Sequence, residues 1–566
     1  MQLTDLIQGF PIRLALPAGG TASLRICDLT EDSRTVVPGS LFIARAGAKA
    51  DGRVFIAQAL GAGAVAVLVQ GEPDSATLDA ARHAQAAVLS TDDAALASAL
   101  LAERFYGSPS NSLDLVGVTG TNGKTTITWL IWQLLNGAGH RSGLIGTVIV
   151  DDGAEVAPAN MTTPPAIEVS RTLNLMVDSG CKAAAMEASS HALHQKRVEA
   201  LAFDVGVFTN LTGDHLDYHG TMESYAAAKA RLFELLSPDA AAVVNAQDPW
   251  APRMVRDIKP GVRLFPCVIE DDRSLFPPAP HTLATGERAC VAKVRSADLL
   301  GMTLELSGPW GKVESRVNLT GSHNVMNVLQ AVASAHAIGL SAERIAEGLS
   351  SLTAPPGRLE RVSLDRDPVT VLVDYAHTDD ALKNAIGAVR ACLGSDGGGG
   401  TGGGGKLWVV FGCGGDRDKT KRPRMGRVAA TEGDMEVVTN DNPRTERPSE
   451  IIDQILAGVP TERRGAVSVQ PDRDRAIRYA IDHAQAGDVV LIAGKGHETE
   501  QILPDGAGGT FTQHFDDREV ARAALADRFG ARPEASPGRP TAVVRSSRTG
   551  AKGSGSGGSG SSGRRP

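Results

Sequence analysis

The sequence predicts an α/β protein of three domains followed by a polar tail, and three observations support this fold class. The chain has 566 residues, and typical domains have about 100–200. Short apolar runs alternate with helical stretches along most of the chain, which indicates parallel sheets covered by helices. Turn-rich segments at residues 107–112 and 354–357 interrupt this alternation and predict the domain boundaries.

These boundaries divide the chain into residues 1–110, 111–354, 355–530 and 531–566. In the first segment we expect strands at residues 41–44 and 64–69 and a helix at residues 94–104, which together predict a small α/β domain. In the second segment, predicted strands cover residues 115–118, 183–186, 205–208 and 240–244. Helical stretches separate several of these strands, so a parallel sheet with helices on both faces is expected.

The third segment continues the alternation, with predicted strands at residues 369–373, 407–411, 436–439 and 489–493. We expect a Rossmann-like, doubly wound domain there. Residues 397–405 are glycine except for Thr401 and lie between a predicted helix and a predicted strand. We interpret this run as a surface-loop insertion that has no role in packing.

The last segment is rich in Gly and Ser and carries seven basic side chains against one acidic side chain. Such a composition predicts a disordered, solvated extension. An RNA-binding or partner-binding arm is the alternative interpretation. It is less favoured because the segment contains no aromatic side chain on which a base could stack.

The composition excludes several classes of protein. A formal net charge of −8 and an aromatic content of 4% argue against a nucleic-acid partner. The six cysteines include no CxxC pair, so no zinc site or thioredoxin-like motif is expected. No apolar run approaches the ~20 residues of a membrane span, and the N-terminus does not resemble a signal peptide. We therefore expect a cytoplasmic protein without a membrane partner.

The clearest functional pattern is a glycine-rich loop between the strand predicted at residues 115–118 and the helix predicted from Thr125. Backbone N–H groups in such a loop bind phosphate oxygens, while Lys124 would add a cation and Thr125 could coordinate Mg²⁺. Position 118 is Val, so the loop has the shorter G-x-x-G-K-T pattern. We expect nucleotide binding by Gly120, Thr121, Asn122, Gly123, Lys124, Thr125 and Thr126.

Acidic side chains that could hold the metal of a bound nucleotide occur at two further places. Glu187 ends a predicted strand, a position that faces the ligand crevice in a parallel sheet, although it could instead cap a helix. Residues 214–219 contain two aspartates and two histidines. Their local sequence fits either a metal site or a solvated loop.

Four separated motifs resemble those of the Mur ligases, which are ATP-dependent amide ligases of peptidoglycan synthesis. They are residues 121–125, 187–191, 210–219 and 374–378, in the order found in the family. The resemblance extends from about Asp32 to Leu525, omits the glycine run, and is greatest to the branch that adds the third amino acid. It implies that ATP phosphorylates the glutamate carboxylate of UDP-N-acetylmuramoyl-L-alanyl-D-glutamate, and that the amine of a diamino acid then displaces phosphate.

The resemblance also implies the roles of individual residues. The implied catalytic residues are Lys124, Glu187, His215 and Lys229. Lys229 would be carbamylated and would hold Mg²⁺ together with Thr125 and Glu187, whereas a lysine on a helix otherwise usually faces solvent. Further ATP contacts are implied for Asn324, Arg358 and Asp374. The UDP-muramoyl dipeptide would contact Ser33, Ala48, Lys49, Ala50, Thr162, Thr163, Ser189, Gln195 and Arg197.

Two positions depart from the family pattern. His323 stands where the family often has an aromatic residue, which affects the shape of the adenine pocket. Asp379 stands where a proline is common, and an aspartate is acceptable in the first turn of a helix.

The incoming amino acid is implied by residues 441–444, which resemble the motif that selects meso-diaminopimelate. Arg444 would bind the second carboxylate of this diacid, and lysine would leave that cation unpaired. The implied contacts are Arg417, Asp441, Asn442, Pro443, Arg444, Gly494 and Glu498. We therefore expect a monomeric diaminopimelate-adding ligase with small-molecule partners. A lysine-adding or folylpolyglutamate-type ligase and a P-loop nucleotide switch or hydrolase are the alternatives.

Overall fold

The computed structural model describes residues 1–17, 23–47, 51–270, 289–393 and 405–530. Within them, three sheets are each packed on both faces, which confirms the three-domain α/β fold class. Ala48, Lys49 and Ala50, residues 397–404 of the glycine run, and the tail after residue 530 lie outside the described residues. The boundaries at residues 110 and 354 stay predictions.

The first domain is a five-stranded sheet of order β1-β5-β4-β3-β2, parallel except for β1. Its strands are β1 (Ile12–Leu16), β2 (Asp28–Thr30), β3 (Ser40–Ala44), β4 (Ala66–Gln70) and β5 (Ala87–Thr91). Its helices are α1 (Leu3–Ile7), α2 (Ile56–Gly61), α3 (Ser75–His83) and α4 (Ala94–Phe105). Asp74 and Asp93 cap α3 and α4, because each carboxylate accepts a hydrogen bond from an N–H of the first turn.

The second domain contains an eleven-stranded sheet of order β16-β15-β14-β13-β12-β11-β6-β10-β7-β8-β9. Its strands are β6 (Asp114–Thr119), β7 (Ser142–Ile145), β8 (Ile149–Asp151), β9 (Val156–Pro158), β10 (Ala183–Glu187), β11 (Val205–Phe208), β12 (Ala241–Asn245), β13 (Arg263–Ile269), β14 (Cys290–Asp298), β15 (Gly301–Gly308) and β16 (Gly311–Val317). Its helices are α5 (Lys124–Gly137), α6 (Ala166–Asp178), α7 (Ser190–His194), α8 (Leu216–His219), α9 (Met222–Leu235), α10 (Ala251–Val255), α11 (His323–Ala337) and α12 (Ala342–Leu349).

Both edges of this sheet are extended by antiparallel strands, which the predicted parallel sheet did not include. Strands β14, β15 and β16 form an antiparallel meander, and β7, β8 and β9 pair antiparallel at the other edge. β16 alternates exposed and buried positions, as expected for a strand with one face in water. The centre of the sheet, from β7 to β14, is parallel as predicted.

The third domain has a six-stranded sheet of order β17-β18-β22-β19-β20-β21, parallel except for β17, and a separate hairpin of β23 and β24. Its strands are β17 (Glu360–Arg361), β18 (Thr370–Asp374), β19 (Leu407–Phe411), β20 (Met435–Val438), β21 (Val467–Val469), β22 (Val489–Ala493), β23 (Glu500–Pro504) and β24 (Thr510–His514). Its helices are α13 (Asp379–Leu393), α14 (Lys421–Glu432), α15 (Pro448–Leu456), α16 (Arg473–His483) and α17 (Asp517–Phe529). Asp379 lies in the first turn of α13, as predicted.

Neighbouring domains are joined by specific contacts. Ile167 of α6 packs into the core of the first domain, and Ser170 donates a hydrogen bond to Glu103 of α4 (2.9 Å). Leu299, between β14 and β15, packs against the core of the third domain. Among the described helices, none is long and apolar enough to cross a membrane.

Candidate active site

A cleft of ≈ 540 Å³ opens between the second and third domains. Residues 121–126, the segment after β11 and the first turns of α11 line one side, while Arg358, Asp374 and α13 line the other. The glycine-rich loop follows the carboxyl end of β6, and Asp374 ends β18. Ligands of open α/β sheets bind at such strand ends, so this cleft is the candidate nucleotide site.

The glycine-rich loop needs its two glycines for steric reasons. Gly120 has φ 149°, and a Cβ there would lie 1.8 Å from Thr209 Oγ1. Gly123 has φ 87°, and its Cβ would lie 2.7 Å from Asn327 Oδ1. The loop is fixed by hydrogen bonds from its backbone N–H groups to Asn210. The free N–H groups of the first turn of α5 begin directly after it, and they can bind phosphate oxygens.

Lys124 lies at the base of this loop. Its Nζ donates hydrogen bonds to the carbonyl oxygens of Gly120 (3.0 Å) and Thr121 (2.9 Å). Burial lowers the pKa of Lys124, whereas the nearby Glu187 carboxylate opposes that shift. The amine thus lies against the loop backbone, where a phosphate would replace the carbonyl oxygens as its partner.

Glu187 and Thr125 form an oxygen pair beside the loop. Glu187 ends β10 and is fully buried, and its Oε2 accepts a hydrogen bond from Thr125 Oγ1 (3.1 Å). The Thr147 N–H donates to the other carboxylate oxygen (2.7 Å). The described residues contain no group of three or more His, Cys, Asp and Glu side chains placed to hold a metal. A hydroxyl and a carboxylate still fit Mg²⁺, which takes few protein ligands and completes its shell with phosphate oxygens and water.

Lys229, on α9, is buried and does not face solvent as an isolated helix lysine would. Its side chain is 1% exposed, and its Nζ donates to Gly120 O (2.6 Å) and lies 4.4 Å from the ring centroid of Tyr225. Burial, reinforced by Lys124, holds the pKa of Lys229 well below its usual range. A neutral amine is the form that reacts with carbon dioxide, so this environment fits carbamylation.

Several aromatic and histidine rings gather beside Lys229. His215 is exposed, has φ 52°, and its ring centroid lies 4.9 Å from that of His191. His219 shares a hydrogen bond with Ser190 Oγ (3.1 Å), and burial lowers the pKa of His219 to about 4. At neutral pH His219 is therefore uncharged.

The residues expected to hold the muramoyl dipeptide cluster next to Glu187. Thr163 Oγ1 donates to the carbonyl oxygen of Glu187 (2.7 Å) and lies 3.3 Å from Ser189 Oγ. Arg197 donates to Thr163 O (2.7 Å) and to Gln195 Oε1 (2.8 Å).

The two remaining described members of this set lie on either side of that cluster. Thr162 Oγ1 accepts a hydrogen bond from Thr147 Oγ1 (3.1 Å), so it adjoins the Glu187 carboxylate. Ser33 lies in the first domain and donates to Gln58 Oε1 (3.0 Å).

The far end of the cleft holds the other predicted nucleotide contacts. Asn324 is buried at the start of α11, where its amide donates to Thr320 O (2.7 Å). Asp374 accepts hydrogen bonds from the N–H groups of Leu359 (2.7 Å) and Ala376 (2.9 Å), while burial raises its pKa. Arg358 stacks 4.7 Å from the ring centroid of Tyr375.

Asn327 belongs to this site, although the sequence analysis did not select it. It lines the cleft, and its amide nitrogen donates to Asn324 Oδ1 (2.8 Å). Gln330 lines the cleft one turn further along α11. Amides spaced three residues apart at the start of one helix were the sequence signal for this face.

The predicted amino-acid contacts come together at the carboxyl ends of β20 and β22. Arg444 has φ 52° and donates to Gly415 O (2.8 Å). Asn442 donates to Glu498 Oε2 (2.9 Å). Gly494 has φ 117°, and a Cβ there would lie 2.7 Å from Asp441 Oδ2.

The remaining two members of this set lie in the adjoining loops. Pro443 O would be 1.8 Å from a Cβ at Gly415, so the two loops touch. Arg417 is exposed beside them.

A buried ammonium group that the sequence analysis missed supports this pocket. Lys495 has no exposed surface, and its Nζ donates to Glu498 Oε2 (3.1 Å), Asn442 Oδ1 (3.3 Å) and Glu500 O (2.5 Å). It therefore holds Glu498 and Asn442 in fixed positions. Its burial depends on the hairpin of β23 and β24, which local sequence does not reveal.

Family models match all three domains of the chain. The Mur ligase family catalytic domain matches residues 26–106, the Mur ligase middle domain matches residues 118–335, and the Mur ligase glutamate ligase domain matches residues 357–496.

Individual proteins match over nearly the whole chain. A UDP-N-acetylmuramoyl-L-alanyl-D-glutamate–2,6-diaminopimelate ligase of Synechococcus elongatus is 42% identical over 533 residues, which is 94% of this chain and 100% of that protein. The same-named protein of Geobacillus kaustophilus is 42% identical over 511 residues, covering 89% and 95%. A solved structure of a ligase of this name has a TM-score of 0.62 and 30% identity, covering 89% of this chain and 95% of its own.

Proposed function

The chain belongs to the Mur ligase family, and we propose that it joins meso-diaminopimelate to UDP-N-acetylmuramoyl-L-alanyl-D-glutamate in peptidoglycan precursor synthesis. It is an ATP-dependent, amide-forming ligase. The observation that carries the choice of substrate is the pocket around Arg444. Its guanidinium donates only to backbone carbonyls among the described residues, so it is available to a substrate carboxylate.

The proposed reaction has two steps. A glutamate carboxylate oxygen attacks the γ-phosphorus of ATP, and ADP leaves. The amine nitrogen of the amino acid then attacks the acyl carbon and loses a proton to solvent, and phosphate leaves with the former carboxylate oxygen. Lys124 and Arg358 line opposite walls of the cleft, where their charges would stabilise the transferring phosphoryl group.

Thr125, Glu187 and carbamylated Lys229 are the proposed holders of Mg²⁺, which when bound neutralises phosphate charge. The chain supplies the rest of the site. Lys229 and Lys124 both donate to Gly120 O, so the two amines meet at the same loop carbonyl. Carbamylation would turn Lys229 from a second amine into an anion at that place, which removes the repulsion between them.

We propose that the amino acid is selected by charged side chains, each opposite in sign to the substrate group that it binds. Arg444 and Arg417 would bind the carboxylates of the diacid, and Glu498 would bind an ammonium group. Glu498 is held by Asn442 and Lys495, so its carboxylate is oriented before the substrate arrives. Lysine lacks the second carboxylate and would leave a guanidinium without a partner.

Both walls of the nucleotide cleft come from one chain, so we propose that a monomer is active. ATP and UDP-linked sugars are cytoplasmic metabolites, and the proposed reaction is therefore cytoplasmic.

The test is phosphate release from ATP in the presence of the UDP-muramoyl dipeptide, with meso-diaminopimelate or L-lysine added in parallel and product masses recorded. We expect turnover and a tripeptide mass with diaminopimelate alone. Turnover with lysine would keep the ligase and overturn the proposed selectivity. ATP hydrolysis that is indifferent to both amino acids would instead favour a nucleotide switch or hydrolase.

A further inference from the structure

Two loops of the third domain carry the arginines proposed to bind the diacid. The Arg417 loop, residues 412–420, joins β19 to α14, and the Arg444 loop, residues 439–447, joins β20 to α15. The Gly415 N–H donates to Asn442 O (2.9 Å), and the Arg444 guanidinium donates to Gly415 O (2.8 Å). The loops are therefore in direct contact.

A buried ion pair also stabilises the contact between the two loops. Arg422, in the first turn of α14, has no exposed surface. Its guanidinium donates to both carboxylate oxygens of Glu446 (3.0 and 2.9 Å) and to Gly414 O (3.0 Å). The same Glu446 carboxylate accepts the Asp416 N–H (2.6 Å). One carboxylate of the Arg444 loop thus binds the Arg417 loop and its helix at once.

The three acids within two residues of the two arginines are all engaged elsewhere. Asp418 follows Arg417, and its carboxylate accepts the N–H (2.8 Å) and hydroxyl (2.7 Å) of Thr420. Asp416 precedes Arg417, and its carboxylate accepts the N–H (3.1 Å) and hydroxyl (2.8 Å) of Thr445. Glu446 follows Arg444 by two residues and is held by Arg422, which lowers the pKa of Glu446 to about 2. Arg417 forms no hydrogen bond or ion pair with any residue that the structure describes.

Because these acids are engaged, they do not compete with a substrate carboxylate for the two arginines. A free carboxylate next to a guanidinium would pair with it and would compete with a substrate carboxylate. Arg422, Thr445 and Thr420 prevent this because they bind the carboxylates of Glu446, Asp416 and Asp418. The same contacts fix the positions of the two loops relative to each other. This matters because misplacement of a binding group by about 1 Å can lower a reaction rate a hundredfold.

We propose that Glu446 and Arg422 are a positioning pair, which sets the spacing of Arg417 and Arg444 and leaves both guanidiniums free for the carboxylates of the diacid. This inference rests on the proposed function. Neither member of the pair contacts substrate in this role, since Arg422 is fully buried and both carboxylate oxygens of Glu446 accept hydrogen bonds from Arg422. The pair determines selectivity indirectly, because it sets the positions of Arg417 and Arg444, which contact the substrate.

The experiment compares Glu446→Gln with the wild-type full-length enzyme and with Arg444→Ala. We expect the KM for meso-diaminopimelate to rise about tenfold or more in both variants, because one charge-assisted contact is lost or misplaced. The KM values for ATP and the UDP-muramoyl dipeptide should stay within about twofold, as their contacts lie elsewhere. Glu450→Gln is the matched control, since that carboxylate is exposed on α15 and pairs with the exposed Arg447 (3.7 Å).

A double variant, Arg422→Met with Glu446→Met, separates positioning from stability. Replacing a buried ion pair by apolar residues is often neutral for stability. The proposal expects a near-normal melting temperature with a KM for the diacid that remains high. A KM that recovers along with the melting temperature would overturn it, and so would an unchanged KM in Glu446→Gln. Failure of the wild-type enzyme to use the diacid at all would instead refute the proposed function on which the inference rests.

Discussion

At the scale of single residues, Lys229 is where burial changes the chemistry most. An ammonium group enclosed beside a second amine is unfavourable, so burial and Lys124 hold the pKa of Lys229 well below its usual range. The nearest acceptor is a carbonyl oxygen of the phosphate-binding loop. A modification that adds a negative charge there would both relieve the desolvated amine and create a metal ligand.

Lys229→Ala should therefore lose most of its activity, by about a hundredfold or more, because the proposed carbamate beside the glycine-rich loop could not form. Acetate or formate should restore part of the activity by occupying the space of the carbamate. The measurement is turnover across a titration of each anion, with Lys182→Ala, an exposed lysine before β10, as the control. Full activity of Lys229→Ala without added anion would exclude the assigned role.

At the scale of secondary-structure elements, strand β20 carries a buried acid, Glu436, whose ionisation destabilises the folded state. Glu436 is 2% exposed, and neither carboxylate oxygen has a hydrogen-bond partner among the described residues. Burial raises its pKa to about 8, although Arg463 opposes the shift. The folded chain therefore holds a proton on Glu436 that the unfolded chain releases above its ordinary pKa of 4.5.

The sign of the pH dependence follows from this proton. Between pH 4.5 and about 8 the folded state binds more protons at Glu436 than the unfolded state, so stability falls as pH rises. The loss between pH 5 and 8 amounts to at most roughly 4 kcal/mol. Glu436→Gln should remove this slope and melt at a higher temperature than wild type at pH 8. If the melting temperatures of the two proteins changed with pH in the same way from pH 5 to pH 8, Glu436 would not be the group responsible for the pH dependence of stability.

At the scale of the whole molecule, the nucleotide cleft lies between the second and third domains. The glycine-rich loop and α11 come from one domain, and Arg358, Asp374 and α13 come from the other. A nucleotide bound to both walls would favour the arrangement in which they are closest.

Small-angle scattering should therefore show a smaller radius of gyration when a non-hydrolysable ATP analogue and the UDP-muramoyl dipeptide are both present. Arg358→Ala is the informative variant, because it removes a contact from the third domain and leaves the glycine-rich loop intact. We expect it to bind the analogue and to compact less. An identical radius with and without ligands in the wild-type protein would rule out closure.

Features that depend on neighbours along the chain could be predicted from the amino-acid sequence. The glycine-rich loop is a local pattern of glycines, a lysine and a threonine between a strand and a helix, and the structure has it between β6 and α5 as predicted. Strands such as β11, β19 and β22 also occur at the predicted residues, because short apolar runs bounded by turns form buried strands with little dependence on context.

Features that depend on residues distant in the chain could not be predicted without the folded structure. Lys229 is buried because Gly120 O and the Tyr225 ring enclose it, and an isolated helix pattern predicts an exposed lysine there. The antiparallel strands at the sheet edges, the amide face of Asn324 and Asn327, and the ion pair of Arg422 with Glu446 likewise needed the fold. The physical reason is that desolvation and ion pairing depend on what surrounds a side chain in space, which local sequence does not specify.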